Sequence, residues 1–163
     1  MQSLGALAHI SYNEPCLCSY ELASFYMQQL NLRQEEIDQF YRRMVFNVLS
    51  VNQDDHVKNI SFIMNKKGIW SLSPAYDITF SYDRDNKWLK AHQMTINNKS
   101  SNITLDDLLI AGSKMGIKKS NCMNIIKEVT EVVSNFSYYA KDVGIKDSTI
   151  KYIESIIKEN KVL

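Results

Sequence analysis

Glycine is scarce and scattered in this chain. Its 163 residues include five, Gly5, Gly68, Gly112, Gly116 and Gly144, and no G-x-G-x-x-G or P-loop pattern can be drawn through them. That excludes a glycine-rich backbone cradle for nucleotide phosphates within these residues. No lysine precedes Lys58, so an upstream amine that could pair with such phosphates is missing too. Proline occurs only as Pro15 and Pro74, and there is no repeat or Pro/Gly-rich linker, which leaves one domain over residues 1–163. The three cysteines are an odd number with no export signal, which points to reduced thiols rather than a disulfide framework. Cys16-Leu17-Cys18 with His9 is too poor a ligand set for zinc. A net charge of +1 gives no broad electrostatic case for binding nucleic acid or an anionic membrane. No apolar run approaches the ~20 residues of a membrane span, and the N-terminus lacks the pattern of a secretory signal. The expectation is a cytoplasmic protein.

Helical periodicity dominates what is present. Residues 1 to 18 read as an irregular lead-in through Asn13-Glu14-Pro15. Leu22, Phe25, Tyr26 and Leu30 recur at three- and four-residue intervals and predict a helix from about Ser19 to Asn31. Asn31 is the expected cap of the next helix, with Glu35 and Glu36 in its first turn and Ile37, Phe40, Tyr41, Met44, Val45, Val48 and Leu49 as its buried stripe. Ile60 to Met64 and Ile69 to Leu72 flank Asn65-Lys66-Lys67-Gly68 and predict a β-hairpin with a soluble lysine tip. Residues 78 to 100 show no clean period and read as loop. Thr104 and Asp107 form a capping box for a helix that Gly116 closes. Ile125, Val129, Val132, Phe136 and Tyr139 predict one further helix up to Gly144, and Ile150, Ile153, Ile156 and Ile157 a last one from about Ser148. The fold class expected is mainly α, five helices with one hairpin.

The chemistry-bearing residues flank that hairpin. Asn52-Gln53-Asp54-Asp55-His56-Val57-Lys58-Asn59 precedes it and Ser73-Pro74-Ala75-Tyr76-Asp77 comes after it. A carboxylate, an asparagine five residues on, and a second carboxylate past a hairpin supply an orienter or base for an acceptor hydroxyl and two oxygen ligands for magnesium. Antiparallel strands joined by a tight turn bring their outer ends together, so Asn59 and the Pro74 to Asp77 turn should lie side by side. Asp55 reads as exposed or capping. Trp70, Tyr76 and Trp88 read as core or groove-wall aromatics.

These two motifs resemble the HipA family of toxin serine/threonine kinases. Their catalytic loop reads N-x-D-x-H-x-K-N and their metal-binding turn L-x-P-x-Y-D, and Asn52 to Asn59 and Leu72 to Asp77 match at every fixed position. The stretch from His92 to Lys99, with Asn102-Ile103-Thr104 before a helix, is similar to the segment beyond the metal site in that family. The resemblance covers essentially the whole chain but only the C-terminal portion of a family member, and it implies a helical kinase-like C-lobe. It makes Asp54 the residue that orients or deprotonates the acceptor. Asn59 and Asp77 become the magnesium ligands and part of the ATP-binding set. Lys58 would neutralise phosphate charge, and His56, in the cofactor-binding set, would pack and hydrogen-bond to fix the loop.

The resemblance further implies Mg2+ and ATP as cofactors and a protein substrate, aminoacyl-tRNA synthetases being the recognised targets. Its implied partners are a small DNA-binding antitoxin and a complementary N-lobe, without which the chain should be inactive. Two other readings compete: a non-catalytic remnant or scaffold that keeps the fold, and a metal-dependent hydrolase built on Asp54, Asp55 and His56. The second is weak, because adjacent side chains diverge whereas open metal sites draw converging ligands.

Overall fold

A computed structural model describes residues 1–160 and Val162. The described elements run β1 (Gln2–Ser3), α1 (Leu4–Ala8), α2 (Tyr20–Gln29), α3 (Gln34–Leu49), β2 (Ser61–Met64), β3 (Trp70–Leu72), α4 (Leu105–Lys114), α5 (Lys119–Ser134), α6 (Phe136–Asp142) and α7 (Asp147–Glu159). The fold is mainly helical, as expected, with the hairpin in place. Phe62 pairs with Leu72 and Met64 with Trp70. The hairpin is widened into a three-stranded antiparallel sheet in the order β1-β2-β3.

That third strand corrects the reading of residues 1 to 18 as irregular. Gln2 pairs with Phe62 and Ser3 with Ser61, and the Ser3 hydroxyl then accepts from the Ala6 N–H at 3.3 Å to start α1. Two strand residues and a five-residue helix are too short to express a period. Gly5 is required here by close approach, since a Cβ on it would lie 2.9 Å from Val57 Cγ2.

α3 is the central element. Ile37, Phe40, Tyr41, Met44, Val45 and Val48 are all buried, and α3 packs on α5, α2 and β3. Its cap is Arg33 rather than Asn31. Asn31 instead takes a left-handed turn at φ 56°, and Glu36 reaches back to accept from the Arg33 N–H at 3.1 Å.

α2 buries a face different from the expected one. Ser19 accepts from the Leu22 N–H at 3.0 Å and sets the phase so that Tyr20, Ala23, Ser24 and Met27 turn inward. Leu22 and Phe25 are left 37% and 51% exposed. The hydrophobic count favoured Leu and Phe over Ala and Tyr, but Tyr20 has a buried polar partner that draws it in.

The long helix expected from the Ile125 to Tyr139 stripe up to Gly144 is broken at Asn135. Its side-chain amide donates to the Glu131 carbonyl at 2.9 Å, and its N–H bonds to Val132 at 3.1 Å, three residues back rather than four. A side chain that satisfies helix carbonyls itself ends the ladder. α6 therefore starts anew, and with α1 it brings the helices among the described residues to seven where five were expected. Gly144 closes α6 at φ 77° as read.

Candidate active site

The loop after α3 is held from both sides. On one side the start of α1 donates into it, Leu4 N–H to the Ile60 carbonyl at 2.8 Å and Gly5 N–H to Val57 at 3.1 Å. On the other, Gln53 N–H bonds to Ser81 at 2.9 Å and Ser81 N–H to Val51 at 3.2 Å. Inside the loop the Asn59 side-chain N–H donates to the Asp54 carbonyl at 2.9 Å. Because that bond uses the amide nitrogen, the amide oxygen of Asn59 is the atom left to face outward.

The turn after β3 is docked on the same framework. Glu36 accepts from the Leu72 N–H at 2.9 Å, and Arg43 donates to the Ser73 carbonyl at 2.6 Å. Burial lowers the pKa of that guanidinium below its ordinary value. The Tyr76 hydroxyl sits 2.5 Å from both Ser61 Oγ and the Lys58 carbonyl. One tyrosine thus ties the residue before Asn59 to the residue before Asp77, and the two motifs lie side by side as the hairpin geometry required.

Asp54 is half-exposed, its side chain 42% accessible. It lines a cleft of about 410 Å³ together with Tyr12, Asn13, His56, Trp88 and Gln93, which makes Trp88 a groove-wall residue. Lys58 holds its ammonium 3.7 Å from the Tyr12 ring centroid, a cation–π contact that restrains a long flexible side chain. His56 meets the same ring edge-on, with centroids 5.9 Å apart. Its Nε2 lies 3.9 Å from Asp54, beyond hydrogen-bond range, and its Nδ1 is buried without a partner. His56 therefore fixes the loop by packing and not by the hydrogen bond expected of it.

Asp55 overturns its reading. It is 3% exposed, and its carboxylate accepts from the Tyr20 hydroxyl at 2.8 Å, the Gln93 N–H at 2.7 Å and His92 Nδ1 at 2.9 Å. Three donors compensate what would otherwise be a prohibitive burial of charge. Burial, and next the charge of Asp55, hold the Tyr20 phenol well above its usual pKa, so it remains a donor. Asp54 and Asp55 thus have opposite surroundings, one in the cleft and one in the core, and the Asp54, Asp55, His56 trio of the hydrolase reading does not converge.

Among the described residues no group of three or more His, Cys, Asp and Glu gathers around a point. Cys16 is exposed and Cys18 buried, both free. Burial, then the charge of Glu21, push the Cys18 thiol up to about 12, so it stays protonated.

Sequence reasoning missed Tyr12, Tyr20 and Asn47. Nothing marks Tyr12 in the aperiodic lead-in. Asn47 carries a signal, a polar residue lodged between Met44, Val45 and Val48 on a buried stripe. Such a residue needs a partner, and its amide donates to the Tyr20 hydroxyl at 3.0 Å.

Comparison with known proteins agrees with this architecture. The family model described as the HipA-like C-terminal domain matches residues 1–136. Among solved structures, a chain of the toxin–antitoxin complex of HipA, HipB and operator DNA from Shewanella oneidensis MR-1 is similar with a TM-score of 0.60 and 18% identity. The likeness covers 74% of this chain and 29% of that one; it is a likeness of fold, and the present chain spans less than a third of its neighbour. No curated protein matches the chain.

Proposed function

The chain belongs to the HipA-like C-terminal domain family, and from that premise we propose that it forms the phosphate-handling lobe of a serine/threonine protein kinase. The observation that carries the reading is the pairing of the two motifs. Asn59 is pinned through its side-chain N–H to the Asp54 carbonyl, and the residue before it is tied through Tyr76 to the Asp77 turn, so the two motifs are held next to each other.

Asp54 at the wall of the cleft orients the acceptor hydroxyl and takes up its proton, a role that requires hydrogen-bond reach to that hydroxyl. Lys58, steadied over Tyr12, places positive charge beside the transferred phosphate. Asn59 and Asp77 would hold magnesium, which when bound with ATP draws charge from the phosphate oxygens. Trp88 and Tyr12 shape the cleft for the acceptor segment.

No glycine-rich cover for the phosphates exists among these residues. Phosphoryl transfer rests on positioning and electrostatics, so the chain alone is inactive under this reading and acts with a complementary N-lobe, as a further segment or a separate subunit. The family resemblance and the HipA–HipB–DNA neighbour support a toxin–antitoxin setting with a DNA-binding antitoxin as partner, and the resemblance supports an aminoacyl-tRNA synthetase as the protein substrate.

The test is phosphate transfer from Mg-ATP followed by intact-mass spectrometry, for the chain alone and joined to the segment encoded immediately upstream. Transfer should occur only in the joined form. It should fall by roughly two to four orders of magnitude in Asp54→Asn, the range for loss of a positioned base, and vanish in Asp77→Ala. A joined form that is folded but fails to bind Mg-ATP would overturn the catalytic reading in favour of a protein-interaction scaffold.

A further inference from the structure

Asn52 is 1% exposed and lies between two backbone positions of high cost. Val51 before it has φ 57°, and Asp77 across from it has φ 54°. A β-branched residue such as Val51 rarely enters that region, whereas aspartate does so more readily but still needs local support to stay there. The Asn52 side-chain nitrogen donates to Asn47 Oδ1 at 3.0 Å and makes a long contact of 3.5 Å to the Asp77 carbonyl. Both partners are acceptors, so only the NH2 end of the amide can face them. The consequence is that Asn52 Oδ1 is buried with no partner.

An orphaned buried acceptor is costly, and a leucine of similar size would remove it only by leaving Asn47 Oδ1 without its donor. A polar group kept at such a cost beside a strained residue is a mark of function rather than of stability. The bonds also have a direction. Donation runs outward from Asn52: one way to the Asp77 carbonyl at 3.5 Å, the other to Asn47 at 3.0 Å, from Asn47 to the Tyr20 hydroxyl at 3.0 Å, and from that hydroxyl to Asp55, next to Asp54, at 2.8 Å. One buried thread therefore joins the backbone that carries the acceptor-side carboxylate to the backbone that carries the metal-side carboxylate.

We propose that Asn52 is a positioning residue, which fixes Asp77 in its left-handed conformation and so sets the distance between its carboxylate and Asn59. This role rests on the reading of Asp77 as a magnesium ligand. It predicts a local effect. The neighbouring clamp of Gln53 and Val51 on Ser81 is made of backbone bonds and survives loss of the Asn52 amide, so Asp77 should loosen while the loop stays attached.

The experiment is 15N relaxation and a Mn2+ titration on the chain and on Asn52→Leu and Asn52→Asp. The aspartate keeps the shape, cannot donate, and covers the case in which the leucine variant misfolds. Backbone order at Asp77 and Ile78 should fall from near 0.85 to below about 0.6 in both variants, with α3 and the hairpin unchanged. In the parent chain Mn2+ should broaden the amides of Asn59 and Asp77, and in the variants its affinity should weaken by about tenfold or more, as for loss of other residues that orient a ligand. Unchanged order at Asp77 in a folded variant would overturn the positioning role whatever the metal does. No broadening of Asn59 or Asp77 in the parent would instead remove the metal reading, and the metal-setting role with it, while the order measurement still judges the tether.

Discussion

Asp54 and Asp55 show how far one residue step changes a side chain's work. Asp54 is in the cleft, whereas Asp55 is 3% exposed and holds three donors from distant segments. Asp55→Ala leaves Tyr20, His92 and the Gln93 N–H without their acceptor, and should lower unfolding free energy by about 2–4 kcal/mol. Asp54→Ala, which removes no buried bond, should stay within about 0.5 kcal/mol of the parent. Urea denaturation of both variants checks the contrast. The juxtaposition of the two segments was legible because it is local: a hairpin between them brings the Asn59 end and the Asp77 turn together. The inward turn of Asp55 was not legible, because it depends on Tyr20 and His92, which lie 35 and 37 residues away. Tyr12 was invisible for the same reason, its only marks being contacts with Lys58 and His56.

Capping chemistry could be read for some elements and not for others. Thr104 and Asp107 close the expected box at the start of α4, but Asp107 does more, accepting from Asn97 at 2.9 Å and Lys99 at 2.8 Å. Burial pushes its carboxyl up, and the bonds from Lys99, Asn97 and Thr104 together outweigh that and hold it far below the usual carboxylate range. A folded pKa below the unfolded one means stability that is complete above the unfolded value of about 3.9, begins to decline there, and is lost as pH falls on through the lower folded value. Asp107→Asn should therefore cost about 1–2 kcal/mol at neutral pH and flatten the decline between about pH 5 and pH 3, read by denaturant midpoints across that range. Long helices with a regular stripe, α3 above all, were legible because burial and periodicity coincide. α2 misled because a capped start rotated Leu22 and Phe25 outward, and the α5–α6 break because a single asparagine side chain outcompeted the ladder. β1 and α1 gain their structure from the hairpin they lean on.

Across the molecule one apolar core runs from Leu4 to Val129, drawing on the sheet and on α2 to α5. The α6–α7 pair stands at its margin. Ala140, Ile150 and Ile156 are buried but lie outside that cluster, and the pair reaches the loop after β3 through Arg84 to Glu159 and an edge-on contact of Phe80 with Tyr152 at 6.1 Å. Native-state hydrogen exchange should show α3 and α5 opening only with global unfolding and α6–α7 opening at lower free energy; equal protection would mean that the pair belongs to the main cooperative unit. The buried anchorage of Asp55 also has a consequence in time. As the chain is synthesised from its N-terminus, Asp55 emerges well before His92 and Gln93, two of the three groups that let it leave water. Helices α1 to α3 can gather without them, but the loop cannot lock until that later stretch has arrived. A nascent or prematurely terminated product ending before residue 92 would carry α1 to α3 and the hairpin while the loop between them remained unset, so that this loop takes its final form only as the second half of the chain is made.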